Sequence, residues 1–273
     1  MRATRVRFVE TAPAGAVVVR EFDDPQRRFA IVEPMAVEDL LGQSSGPEWA
    51  EEFYWLVCSE SSSPEQELAR ARRWVARPAD DAEPTVETMS RGDTLRWRPG
   101  RAWMCGSPEH VEENLAALID FAFHEGELRK LEREVQNEWR TAEADIPLTY
   151  DLDGYALQQQ FHVSEMTRHA TLRRMRFARL ERHLQSPALT LPAPARRLVA
   201  DLLEQTEVSQ RLRAADRRIT VLEELYRACS ARMLHLRQAS RFARREQRML
   251  ILLIAQVALF AAALAAVLLH RIG

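Results

Sequence analysis

The sequence predicts an α+β fold, with a small mixed domain first and long helices after it. Three observations predict this. Short β-prone runs separated by turn formers fill the first hundred residues. Helical character takes over after Ser107. No glycine or proline interrupts the chain from Ala195 to Ile272. The expected division is 1–106 as the α+β domain, 107–248 as a helical bundle or long-helix stalk, 249–269 as one transmembrane helix and 270–273 as a short tail.

The β-prone runs are Val6–Val9, Ala16–Val19, Ala30–Val32 and Phe53–Cys58, followed by Thr85–Met89, Thr94–Trp97 and Ala102–Cys105. Pro64–Val75 reads as a helix among them. Ser107-Pro108-Glu109 is a helix start, with a capping hydroxyl, proline in the first turn and an acid at the positive dipole end. That helix carries Val111, Leu115, Leu118 and Ala122 on one face, then Leu131 and Val135. A second helix is expected over Gly154–Leu184, burying Phe161, Met166, Phe177 and Leu180. A third runs from about Ala195 onward. Its seam, Leu212, Ala215, Ile219, Leu222, Tyr226, Cys229, Met233 and Leu236, recurs at alternating spacings of three and four, a heptad pattern. The same register reaches Leu250, Ile254 and Val257. Small and polar residues in the seam favour an intrachain hairpin over a strict zipper between copies.

Met249–Leu269 holds 21 residues with Gln256 as its one polar side chain and no charge. At ~1.5 Å rise per residue such a helix is roughly 30 Å long, the thickness of a hydrocarbon core. The expectation is a single-pass, tail-anchored protein of the bacterial inner membrane. Arg237, Arg241, Arg244, Arg245 and Arg248 precede the span and only Arg271 follows it, so the N-terminal bulk is placed in the cytoplasm. Arg241, Arg244, Arg245 and Arg248 would sit at the membrane surface beside lipid headgroups. Ala258, Ala262 and Ala266 form a small-residue ridge, and Gln256 is a polar group able to bond a neighbouring helix, which together predict a homo-oligomeric interface.

Composition narrows the chemistry. The 38 basic and 40 acidic side chains leave a net charge of -2, which argues against a dedicated nucleic-acid binder. Lys130 is the single lysine, the mark of an arginine-favouring, GC-rich coding sequence. Cys58, Cys105 and Cys229 are far apart, indicating neither a disulfide framework nor a zinc knuckle. Phosphate-loop, dinucleotide, zinc-protease and nucleophile-elbow motifs are missing. His162, Glu165 and His169 share a face of the second helix and are weak metal-ligand candidates, set against a polar helix face. His124-Glu125 is a weaker pair. Arg173, Arg174, Arg176, Arg179 and Arg182 read as a solvated face, with RNA or an acidic protein as the sharper alternative. No cofactor is expected.

One resemblance rests on the order of parts. Phe53-Tyr54-Trp55-Leu56-Val57 precedes a helix and a strand ending near Cys105; Ser107-Pro108-Glu109 and Asn114-Leu115-Ala116 follow. Then come Arg218-Ile219-Thr220-Val221-Leu222 and, ahead of the apolar run, Glu246 with Gln256-Val257 after it. Over roughly residues 50–260 this resembles the YagE-type family, which includes the "required for meiotic nuclear division" proteins. The sequence departs from that pattern at Arg245-Glu246-Gln247, where the family has Leu-Glu-Trp, at Gln256, where it has Glu, and at Glu223, where it has Asn. The resemblance implies an oligomeric membrane scaffold and carries over no catalytic residue.

The resulting expectation is a membrane-anchored, self-associating scaffold or adaptor without catalysis, holding an unidentified cytoplasmic protein partner. The alternatives are a ligand sensor or enzyme with its site in the α+β domain, a subunit of an ion-handling complex, and an RNA-associated tether.

Overall fold

The computed structural model describes residues 1–42, 51–59, 64–76, 85–150 and 159–272, with side chains through residue 259. The expected mixed α+β character holds. Strands β1 (Arg2–Val9), β2 (Val18–Phe22), β3 (Arg28–Met35), β4 (Glu52–Cys58), β5 (Val86–Ser90), β6 (Asp93–Arg98) and β7 (Arg101–Cys105) form one sheet. Its order is β2-β3-β1-β4-β7-β6-β5. The β4–β7 pair is parallel and the others are antiparallel. Helices α1 (Val37–Gly42) and α2 (Glu65–Ala76) are interleaved with the strands. The long helices follow: α3 (Val111–Asp145), α4 (Gln160–Gln185), α5 (Ala193–Gln205) and α6 (Val208–Ile272).

The chain divides into two compact units. The first comprises Met1–Trp139 with Leu172–Thr220, and the second Arg140–Thr171 with Val221–Gly273.

In the first unit β4 lies at the centre of the sheet and is apolar on both faces, because helices cover both. Tyr54, Leu56 and Cys58 join Leu40, Leu68, Trp74 and Trp103 in a core against α1 and α2. Phe53 faces the other way and meets Phe8 and Trp97, which in turn pack on Phe123 and Phe121 of α3. Residues 117–128 of α3 are all buried. A helix buried on every side must have each polar group partnered by the protein itself.

Two tight features fix the edge of this unit. The β5–β6 hairpin turns on Arg91 and Gly92, both at positive φ, with Ser90 paired to Asp93. Gly106 lies so close to Asp93 that a Cβ there would sit 2.0 Å from its Oδ1. Buried Asp93 accepts from the Ser107 amide at 2.9 Å, pairs with His110 Nδ1 at 2.7 Å and accepts from Asn114 Nδ2 at 3.3 Å. The hairpin is thereby tied to the start of α3.

The second unit has a smaller core of Leu148, Val163, Cys229 and Met233, flanked by Leu225 and Leu236. Asp145 organises its polar interior. One oxygen, Oδ2, takes His162 Nε2 at 2.9 Å and the Tyr226 hydroxyl at 3.1 Å.

Several expectations need correction. The helix expected to run unbroken from Ala195 is interrupted at Glu207, whose φ is 53°. The amides of Thr206 and Glu207 close α5 onto Leu202 and Glu204, and the Glu207 carbonyl then accepts the Gln210 and Arg211 amides that open α6. Phe161, expected in the core, is 80% exposed, whereas Phe177 and Leu180 are buried as read. The heptad seam from Leu212 to Met233 is buried within the single chain.

The membrane span is the largest correction. Among the described residues, no helix is long and apolar enough to cross a membrane. Among the described side chains the uncharged run of α6 is Met249 to Leu259. Extending it backward to spanning length brings in Arg244, Arg245, Glu246 and Arg248. The transmembrane, single-pass and tail-anchored description and the inner-membrane localisation are withdrawn with it.

Candidate functional site

The distal part of α6 is the main candidate. From Arg237 to Leu259 every described residue is exposed except half-buried Ser240. Up to Arg248 this surface is polar and basic. Arg241, Arg244, Arg245 and Arg248 are exposed on it, with Arg244 Nε donating to the Ser240 carbonyl at 3.2 Å. Beyond Arg248 the surface turns apolar around the whole helix. Leu250, Ile251, Leu252, Leu253 and Ile254 are 57–69% exposed, and Val257 and Leu259 are exposed as well. Gln256 and Ala258 lie exposed in this stretch, while the side chains of Ala262 and Ala266 fall outside the described residues. Isolated exposed leucines are ordinary; a contiguous run on all sides marks a surface that something covers.

The histidine candidates are not brought together as ligands. His162 pairs with Asp145, and His169 lies 3.9 Å from Glu165 on the helix surface. Among the described residues no group of three or more His, Cys, Asp or Glu side chains could hold a metal ion.

Of the α4 arginines expected to face solvent, Arg173 is buried, Arg174 and Arg176 are half-buried, and Arg179 and Arg182 stay exposed. Arg173 pairs with Glu138 in a buried contact, and Arg174 with Asp216. Arg176 bridges Glu127 and Glu134 at 2.9 and 2.8 Å. Arg182 reaches Asp24 at 3.1 Å.

Arg173 and Arg176 serve buried acids of α3, Glu138 and Glu127, which local spacing did not reveal. Asp120 is paired with Arg20 at 2.5 Å, yet burial raises its carboxyl pKa despite that cation. His124 donates from Nδ1 to the Asp120 carbonyl at 2.9 Å, and its ring stacks on His183 at 4.6 Å. Its Nε2 is buried without a partner, and burial lowers its pKa to about 3. Glu125 accepts from Arg129 and from Arg211 Nη1 at 2.8 Å. Burial nonetheless pushes Glu125 up to about 7, against the pull of Arg211. Arg211 also forks onto Glu132 at 3.0 and 2.6 Å. His124-Glu125 was visible as a pair in sequence, but its partners at 20, 183 and 211 are distant in the chain.

The three cysteines are buried and unbridged. Trp103 Nε1 donates to Cys58 Sγ at 3.2 Å, and burial raises that thiol's pKa.

No protein-family model matches the chain, and no curated protein matches it.

Proposed function

We propose that the protein is a self-associating scaffold or adaptor without catalysis of its own, in which copies join through α6 beyond Leu236. The observation that carries this reading is the apolar surface around the whole circumference of Met249–Leu259. A second copy is the occupant the sequence best fits. The seam buried within the chain from Leu212 to Met233 continues in register to Leu250, Ile254 and Val257, which no described residue covers. Ile251, Leu252 and Leu253 are exposed on the remaining sides. Two helices cannot cover all of these, so three or more copies are expected.

The magnitude is adequate. Full burial of one large aliphatic side chain is worth roughly 1.5–3 kcal/mol. Eight such side chains from Met249 to Leu259, each more than half exposed, give on the order of 10 kcal/mol per chain. Association costs roughly 4–15 kcal/mol, so assembly depends on concentration. The buried acids of α3 support a structural role for the rest of the chain, since each is engaged by the protein's own guanidinium groups. The resemblance to the YagE-type family points the same way.

The test is the mass of the full chain by sedimentation across a hundredfold concentration range, with and without neutral detergent. Leu250→Asn, Ile254→Asn and Val257→Asn together should reduce an oligomer to monomer with an unchanged circular dichroism spectrum. A wild-type chain that stays monomeric throughout sinks the proposal.

A further inference from the structure

The second unit carries another exposed feature on α6, ahead of the apolar end. The chain's net charge of -2 conceals an uneven distribution. From Arg237 to Arg248 five arginines stand against one acid, Glu246, a local charge of +4. At roughly 100° per residue, Arg237, Arg241, Arg244 and Arg248 fall within an arc of roughly 60°. Successive members of this row rise roughly 4.5–6 Å along the helix. The row stands roughly 110° around the helix from the seam positions Ala243 and Gln247, so a copy laid on the seam leaves it open. Arg245 lies beside the row, and Phe242 beyond Arg245.

These cations have few acids to answer them. Arg241, Arg244, Arg245 and Arg248 are exposed, and none forms an ion pair among the described residues. Arg244 donates to a backbone carbonyl, that of Ser240, and Arg237 to the neutral side chain of Gln160. Helix α3 shows the contrary arrangement, with Arg129 paired to Glu125 four residues away and Lys130 to Glu127 three away. In α6 the same spacings set guanidinium against guanidinium, which destabilises a helix until an anion lies along it. Phe242 is 64% exposed beside these groups. A lone exposed phenylalanine is ordinary. Next to a row of guanidiniums it sets a bare ring face beside phosphate donors. Single-stranded nucleic acids use that pairing, with the backbone on cations and the bases on aromatic rings. An acidic polypeptide would use the cations and have no need of the ring.

We propose that this face of α6 binds single-stranded nucleic acid, with phosphates along Arg237, Arg241, Arg244 and Arg248 and a base stacked on Phe242. The planar guanidinium can take two phosphate oxygens at once, and the row gives the strand a direction along the helix. Both kinds of contact are blind to base identity, so binding tolerates most sequences. The inference does not rest on self-association, because Leu250, Ile254 and Val257 lie outside the face, and neither test decides the other.

The experiment is fluorescence anisotropy of labelled oligouridylate and, separately, oligothymidylate with the full chain over a series of salt concentrations. Saturable binding of at least one is expected, and the one preferred tells RNA from DNA. The salt dependence is read in the chain carrying Leu250→Asn, Ile254→Asn and Val257→Asn, which keeps the face whether or not the wild type assembles. With four phosphates neutralised, the slope of log Kobs against log salt should be about -3, at about -0.7 per contact. Adding Arg244→Gln and Arg248→Gln should bring it to about -1.5. Phe242→Leu keeps the apolar bulk, removes the ring and should weaken binding about tenfold at an unchanged slope. All these side chains are exposed, and an unchanged circular dichroism spectrum verifies each fold. No binding of either strand up to ~100 μM protein at ~50 mM salt overturns the proposal. It is also overturned if polyglutamate competes as well as the oligonucleotide and Phe242→Leu binds normally, for the face then takes an acidic polypeptide.

Discussion

Replacing His124 by Phe changes how stability responds to acid, and the structure gives the size and sign. The folded chain holds His124 neutral, with a pKa near 3 against 6.5 for the free side chain. Between those values the unfolded chain binds the extra proton, so this histidine costs stability as pH falls. From pH 7 to pH 5 the loss is about 2 kcal/mol, at about 1.4 kcal/mol per unit. Glu125 has the opposite sign. Its folded pKa is near 7 against 4.5 unfolded, so the folded chain takes up the proton first and gains stability as pH falls from 7 to 4.5. From pH 7 to pH 5 that gain is also about 2 kcal/mol. Asp120, raised by burial, adds in the same direction as Glu125. The wild-type chain should therefore show nearly level stability from pH 7 to 5, then decline further down as the gain saturates. His124→Phe should grow more stable by about 2 kcal/mol across the same interval, and Glu125→Gln should lose about as much. Urea unfolding followed by tryptophan fluorescence at pH 7, 6 and 5, at fixed protein concentration, reads all three. If His124→Phe gives the wild-type profile, the claim that His124 is held neutral in the folded chain is refuted.

Three further outcomes follow from other contacts. Arg173→Met or Glu138→Leu alone leaves one charge buried without its partner and should cost about 3–5 kcal/mol in thermal unfolding, while the double replacement should recover most of it. Glu207→Gly relieves a positive φ and should raise stability by about 1 kcal/mol, read as a shift in the urea midpoint. All three thiols are buried, and Cys229 is pushed up to about 11, so a chromogenic disulfide at pH 8 should react slowly with the native chain and rapidly with all three thiols in guanidinium.

The legible and illegible parts of this fold separate by distance along the chain. Strand β4 was readable because six successive apolar residues, Phe53–Cys58, admit little else than a strand covered on both faces. The break at Glu207 was hidden, because the left-handed position that ends α5 is filled by Glu rather than by the usual Gly or Asn. Phe161 misled through periodicity alone: it stands at the second residue of α4, where no neighbour covers it. The arginine-rich face of α4 could not be told from a solvated one, since its acceptors on α3 lie some 35 to 49 residues away. The apolar run of α6 was evident as composition, but what covers it is a question of assembly.

The first unit is discontinuous, and this has a consequence for the order in which the chain is made. Its sheet and most of α3 emerge from the ribosome early, but Arg173 and Arg176 follow more than thirty residues after Trp139, the last residue of the unit's first segment. Arg211 comes later still. Before these arginines are made, Glu125 and Glu127 have only Arg129 and Lys130 of their own helix, and Glu138 lacks Arg173. The nascent sheet therefore waits with one of its layers unfinished through the synthesis of about seventy further residues, at ~5–20 residues per second a pause of seconds. The last of these contacts, Arg211 with Glu125 and Glu132, can form only after the rest of the layer has been made.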